Sequence, residues 1–193
     1  SILFSDFNYF PETRSNYDDF SNIGLGHNRL ALVDLTNSSN QPYIDSKTGQ
    51  AILFNGEYYN FRSDFPNLKS DTQAIFRLIQ QEGVSGLKKV RGMFSLIFFN
   101  FHAEDKNIIL ARDQFGKKPL FFFKDNKNFI ASSDFASIKN IVTSKIDLNY
   151  KELGKYISGK NVINFIGDQS IWNNIFTVKA GSFIEFSIND FSL

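Results

Sequence analysis

Cysteine is absent from all 193 residues. That absence removes disulfides, thiolate metal sites and a cysteine nucleophile from what these residues can supply. Histidine is nearly as scarce. His27 and His102 are the two present; neither has a second imidazole spaced for ligation beside it, so no zinc site is expected and both read as hydrogen-bonded structural residues. An excess of one charge is missing too. The 21 basic and 20 acidic side chains leave a net charge of +1, which excludes the strong field that draws nucleic acid or an anionic membrane. Long apolar runs are lacking: stretches such as residues 94–99 fall far short of the roughly 20 residues a membrane helix needs. From Ser1 onward there is neither the basic segment nor the apolar core of a secretory signal, so a cytoplasmic protein is expected.

What is present is the composition of a folded chain, 42% hydrophobic and 21% charged, in a length that suits one domain over 1–193. Runs rich in β-branched and aromatic residues, bounded by turn formers, predict strands at 2–4, 29–33, 51–54, 94–101, 108–111, 120–123, 129–132, 176–178 and 182–187. Residues 94–99 are apolar at nearly every position, which suits a central strand covered on both faces. The spacing of Ala74, Ile75, Leu78 and Ile79 predicts a helix over 72–90, opened by a capping box from Ser70 to Gln73 and broken by Gly83 and Gly86. Further helices are expected over 133–141 and from Asn149. Hairpin-linked strands with helices grouped between them argue for an α+β sandwich and against a regularly alternating βαβ fold.

Three segments carry residues with chemical potential. Arg29 emerges at the start of a strand after Gly24-Leu25-Gly26-His27-Asn28, where its planar fork can hold a carboxylate; a surface ion pair explains such an arginine equally well. Asn55-Gly56-Glu57-Tyr58-Tyr59-Asn60 follows a strand directly. As local sequence Asn55-Gly56 reads first as a hairpin turn and second as an amide donor for an oxyanion. Asp71, at a helix entry, reads as an N-terminal charge on the macrodipole or as a partner for a bound amine.

The order of these segments resembles the class II glutamine amidotransferase domain of asparagine synthetases. The match continues through Arg91-Gly92-Met93-Phe94, Ala111-Arg112-Asp113-Gln114-Phe115-Gly116-Lys117-Lys118-Pro119-Leu120 and Ala131-Ser132-Ser133-Asp134, covering residues 23–183 with gaps. The Ala-Arg-Asp and Lys-Pro-Leu wording separates this branch from the amidotransferases of amino-sugar and purine synthesis. The resemblance implies an N-terminal-nucleophile hydrolase fold, an αββα sandwich of two mainly antiparallel sheets. It implies that Arg29 holds the glutamine α-carboxylate, that Leu32 shapes the pocket through its backbone, that Asn55 and Gly56 form the oxyanion hole, and that Glu57 and Asp71 hold the substrate amine. No cofactor is implied for this domain. ATP and Mg belong to a synthetase domain that is not among these residues, and the implied partners are glutamine and that ATP-dependent domain or subunit, with an oligomer compatible.

The chain also departs from the family. There the first residue of the processed enzyme is cysteine, with its own α-amino group as base; if Ser1 aligns with that cysteine, a hydroxyl replaces the thiol and is the weaker nucleophile. The segment after the first strand is altered as well: residues 8–13 stand where the family has a helix and an Arg-Gly-Pro-Asp segment. Two expectations follow. Either the domain is a degenerate glutaminase, weakly active through Ser1 or inactive, or it is a non-catalytic pseudo-amidotransferase that binds or supports a synthetase. A sequence that starts downstream of the true N-terminus is the alternative to degeneracy, and a likeness that reports ancestry alone is the blandest reading.

Overall fold

The computed structural model describes residues 2–4, 23–27, 40–101, 106–125, 128–142, 146–158 and 170–188. The strands are β1 (Ile2–Phe4), β2 (Gly24–Gly26), β3 (Tyr43–Asp45), β4 (Gln50–Tyr58), β5 (Gly92–Asn100), β6 (Asn107–Arg112), β7 (Phe121–Lys124), β8 (Phe129–Ser132), β9 (Ile175–Thr177) and β10 (Phe183–Ser187). The helices are α1 (Phe61–Asp64), α2 (Asp71–Glu82), α3 (Phe135–Ile141) and α4 (Tyr150–Ile157), with a 3-10 segment at Gly83–Lys89.

Two five-stranded sheets result, ordered β2-β1-β8-β7-β9 and β10-β6-β5-β4-β3, with antiparallel pairing in both. Alternation along the strands sorts their side chains into layers. Ala51 and Leu53 of β4, Ile97 and Phe99 of β5 and Ile108 and Leu110 of β6 pack with Phe122, Phe129 and Ala131 of the other sheet. The intervening residues Ile52, Phe54, Leu96, Phe98 and Ile109 turn the other way, onto Ala74, Ile75, Leu78 and Ile79 of α2. Ile138 of α3 packs on Phe123 and Ile130 behind the first sheet. The layers therefore run α2, sheet, sheet, α3, the αββα sandwich expected. Each large side chain buried this way contributes about 1.5–3 kcal/mol.

The central strands are covered on both faces, which explains their unbroken apolar sequence: in β5 every residue from Phe94 to Phe99 is buried. The helix expected over 72–90 ends sooner, at Glu82. Gly83 takes the C-cap with φ of 65° and the chain tightens into a 3-10 segment, as the glycine break implied. The capping box is a correction. Ser70 is the N-cap of α2 but makes no side-chain bond to it; its hydroxyl is buried without a partner among the described residues, and Asp71 bonds the Thr72 N–H at 2.8 Å instead. α3 and α4 are capped conventionally, by Asp134 accepting from Ala136 and Ser137 and by Asn149 accepting from Glu152. The strand expected at 29–33 lies outside the described residues.

One contact holds β4 and β5 unusually close. Their register sets Gly56 opposite Phe94 and Tyr58 opposite Gly92. A Cβ on Gly56 would lie 2.1 Å from the Met93 carbonyl oxygen, and one on Gly92 would lie 2.0 Å from the Glu57 carbonyl oxygen. Both neighbours are backbone and have no rotamer with which to yield, so glycine is required at both positions. Gly92→Ala is therefore expected to lower the unfolding free energy by about 2 kcal/mol, within the usual range for overpacking. Urea unfolding of the two proteins measures it.

Candidate functional site

β4 is buried from Ala51 to Phe54 and opens at Asn55, Gly56 and Glu57 before Tyr58 is buried again. Asn55-Gly56 thus lies inside a nine-residue strand, and the hairpin-turn reading is wrong. Glycine serves here for close backbone approach, not for reversal of the chain. Since Ile52, Phe54 and Tyr58 share one face of β4, alternation sets Asn55 and Glu57 on the opposite face, towards the other sheet.

The hydrogen-bonding edge of β4 is the second feature. On one side β5 pairs along its whole length. On the other, β3 pairs with residues 50–52 and stops. Phe54 is then bonded by a side chain: the Gln41 Oε1 accepts from the Phe54 N–H at 2.5 Å, and its Nε2 donates to the Phe54 carbonyl at 2.8 Å. The same Nε2 donates to the Thr72 Oγ1 at 3.3 Å, at the start of α2. In an antiparallel ladder the backbone groups of alternate residues point to the same side. The N–H of Gly56 therefore points to the side that Gln41 occupies at Phe54, and no hydrogen bond among the described residues fills it.

Asp71 closes the far end of this gap. Burial raises the pKa of its carboxyl above the ordinary aspartate range, attraction to the backbone N–H groups of Thr72, Tyr58 and its own residue opposes that, and the negative charge of Glu57 pushes it further up. Glu57 and Asp71, on different elements, are thus near enough to repel. Lys89 pairs with Glu82 and Lys155 with Glu152; neither pair involves Glu57 or Asp71. Tyr58, whose backbone N–H reaches Asp71, is anchored by its hydroxyl donating to Asp64 at 2.6 Å, and the same Asp64 oxygen accepts from Asn60 at 2.6 Å. Burial and Asp64 hold that phenol far above its usual pKa.

Asn55, Gly56, Glu57 and Asp71 are accordingly brought together. Ser1, Arg29 and Leu32 lie outside the described residues. Sequence reasoning missed Gln41 and Tyr58, whose residue types carry no signal of a role in framing a strand edge. The Ala-Arg-Asp segment is structural. The Arg112 guanidinium donates to the carbonyls of Lys118, Val178 and Gly116 at 2.8, 2.6 and 2.6 Å. Buried Asp113 accepts from the N–H groups of Phe94, Phe115, Lys117 and Lys118. Among the described residues no cluster of three or more potential metal ligands forms, and no helix is long and apolar enough to cross a membrane.

The family described as glutamine amidotransferase domain matches residues 11–193. The chain belongs to that family. Among known relatives of this amidotransferase domain, asparagine synthetase [glutamine-hydrolyzing] 2 of Bacillus subtilis is 28% identical over 178 residues, covering 87% of the chain and 23% of the relative. The putative asparagine synthetase [glutamine-hydrolyzing] 2 of Methanocaldococcus jannaschii is 30% identical over 199 residues, covering 90% and 37%. The amidotransferase domain thus spans well under half the length of either. Its fold is similar to that of glutamine phosphoribosylpyrophosphate amidotransferase from B. subtilis, with a TM-score of 0.56 at 15% identity over 85% of this chain and 32% of that one.

The raised pKa of Asp71 fixes the sign of a stability effect. A carboxyl that holds its proton more tightly in the folded state adds stability below the unfolded pKa, and that contribution is lost as pH rises through the folded value. Asp71→Asn keeps the acceptor for Thr72 and removes the repulsion. It is expected to melt higher than the parent protein near neutral pH, with the difference shrinking as pH falls below the ordinary aspartate range. Thermal melts across that range measure it.

Proposed function

We propose that this domain recognises glutamine in a pocket at the open end of β4, and that it is the glutamine-handling part of an asparagine-synthetase-like protein. The observation that carries this reading is the Asp71 carboxyl, its pKa raised by burial and further by the charge of Glu57, beside a Gly56 backbone donor that no hydrogen bond among the described residues fills. An amino acid relieves both features: its α-ammonium neutralises the carboxylates and its side-chain carboxamide oxygen accepts from Gly56. In this reading Arg29 pairs with the α-carboxylate, Leu32 shapes the wall through its backbone, and the Asn55 amide joins the Gly56 N–H in facing the carboxamide oxygen.

Hydrolysis would add a nucleophile at the amide carbon, develop negative charge on that oxygen and expel ammonia. The 193 residues offer no thiol for the attack, and the serine at position 1 is a poor substitute unless its base is well placed. In this reading the pocket binds glutamine, and residues 1–193 by themselves hydrolyse it weakly or not at all. Its setting is cytoplasmic, residues 1–193 act as one unit, and its partner is an ATP-dependent synthetase domain or subunit that supplies the ATP and Mg chemistry. The relatives named glutamine-hydrolyzing asparagine synthetases, far longer than this chain, support the last point.

Calorimetric titration with glutamine is expected to show saturable binding. Glu57→Gln and Asp71→Asn should each weaken it by about tenfold or more, the loss of a charge-assisted hydrogen bond. Glutamate release, assayed in parallel, should stay slight, and any that occurs should vanish in Ser1→Ala. Absence of glutamine binding by the folded parent protein overturns the reading.

A further inference from the structure

Gln41 does with its side chain what the next residues of β3 would have done with their backbone. β3 pairs Tyr43 with Ile52, and continuing that register by two residues sets residue 41 opposite Phe54. There the carboxamide accepts from the Phe54 N–H and donates to its carbonyl, the two bonds of one ladder step. A real strand would go on to occupy the donor of Gly56, whereas a side chain ends after one step, and no partner among the described residues takes that donor. The amide also has a second donor hydrogen, and it is spent on Thr72 Oγ1, the hydroxyl of the residue whose N–H holds Asp71.

We infer that Gln41 is a positioning residue. Its carboxamide fixes the distance between the open Gly56 edge and the Asp71 carboxylate by tying β4 and the first turn of α2 to one rigid group. The inference rests on the reading of that gap as the glutamine site, but its geometric part stands apart from the ligand. An amide suits the task because it presents one acceptor and two donors in a plane. Glutamate in its place offers no donor to the Phe54 carbonyl or to Thr72, and methionine keeps the length while offering neither donor nor a strong acceptor.

The test uses Gln41→Met and Gln41→Glu in the whole chain, below their melting temperatures. Without ligand, amide hydrogen exchange in Gln41→Met should quicken by about tenfold or more at Phe54 and Thr72 and stay unchanged at Ile109 and Phe122, the pattern of a local opening. Glutamine affinity should fall by about tenfold, the effect of roughly 1.4 kcal/mol, with Gln41→Glu no better. Exchange that rises equally at all four amides, or stays unchanged at all of them, overturns the inference, as does a local rise with unaltered glutamine affinity. If the parent protein binds no glutamine, the proposed function fails while the exchange pattern still decides whether Gln41 ties strand to helix.

Discussion

An antiparallel strand that loses its neighbour part-way along leaves backbone groups with no ladder to join, and β4 does this at Gly56. Up to Ile52 it has β3 on one side and β5 on the other. Beyond Phe54 its ladder among the described residues is with β5, and the other edge faces the start of α2. Unpaired backbone groups cost about as much as a lost hydrogen bond when shut away from water. The fold therefore has to end β3 where the edge becomes accessible, or supply a substitute. It does both in sequence, with the Gln41 carboxamide at Phe54 and an opening at Gly56. The close approach of β4 and β5 leaves no room for a side chain at Gly56 or Gly92.

The treatment of charge elsewhere in the molecule marks this region out. Buried Asp113 is surrounded by backbone N–H groups, and Arg112 spends its donors on carbonyls. Asp134 is drawn below the usual carboxylate range by Ser137 at the start of α3. In each case the structure has matched a charge to a partner of its own. Asp71 is the contrary case, partly satisfied by N–H groups yet raised by burial and by Glu57. A fold that carries such a repulsion gives up stability locally, and pKa values shifted in this way concentrate where a ligand supplies what the protein withholds.

How much of this was readable beforehand depends on whether a feature is a property of a segment or of a meeting of segments. β5 and β8 declared themselves because strands buried on both faces run apolar throughout. α2 declared itself through its spacing and its glycine stop. Strands β2 and β3, three residues each, carry too little pattern; Gly24-Leu25-Gly26 is a strand because β1 pairs with it. Asn55-Gly56 misled, since its dipeptide preference is for a turn and a nine-residue ladder with β5 outweighed it. Asn55, Gly56, Glu57 and Asp71 were found through the resemblance, not through local chemistry. The repulsion between Glu57 and Asp71, and the Gln41 bridge, depend on elements far apart in the chain, and no local window contains them.

The layered construction also separates recognition from chemistry. The groups that would hold an amino acid by its charges include Glu57 on β4 and Asp71 on α2, one sheet and its helix. A nucleophile carried ahead of β1 would act from the other sheet, where β1 lies between β2 and β8. Binding the ground state and lowering the barrier are different tasks, because an interaction equally strong in both states tightens binding and leaves the chemical step no faster. Carboxylates placed on the substrate's ammonium act mainly on binding, remote from the amide carbon that reacts. A hydroxyl in place of a thiol acts on the barrier alone. An amino-acid pocket on one side of the sandwich would therefore survive the loss of a nucleophile from the other, and the two properties have to be measured separately.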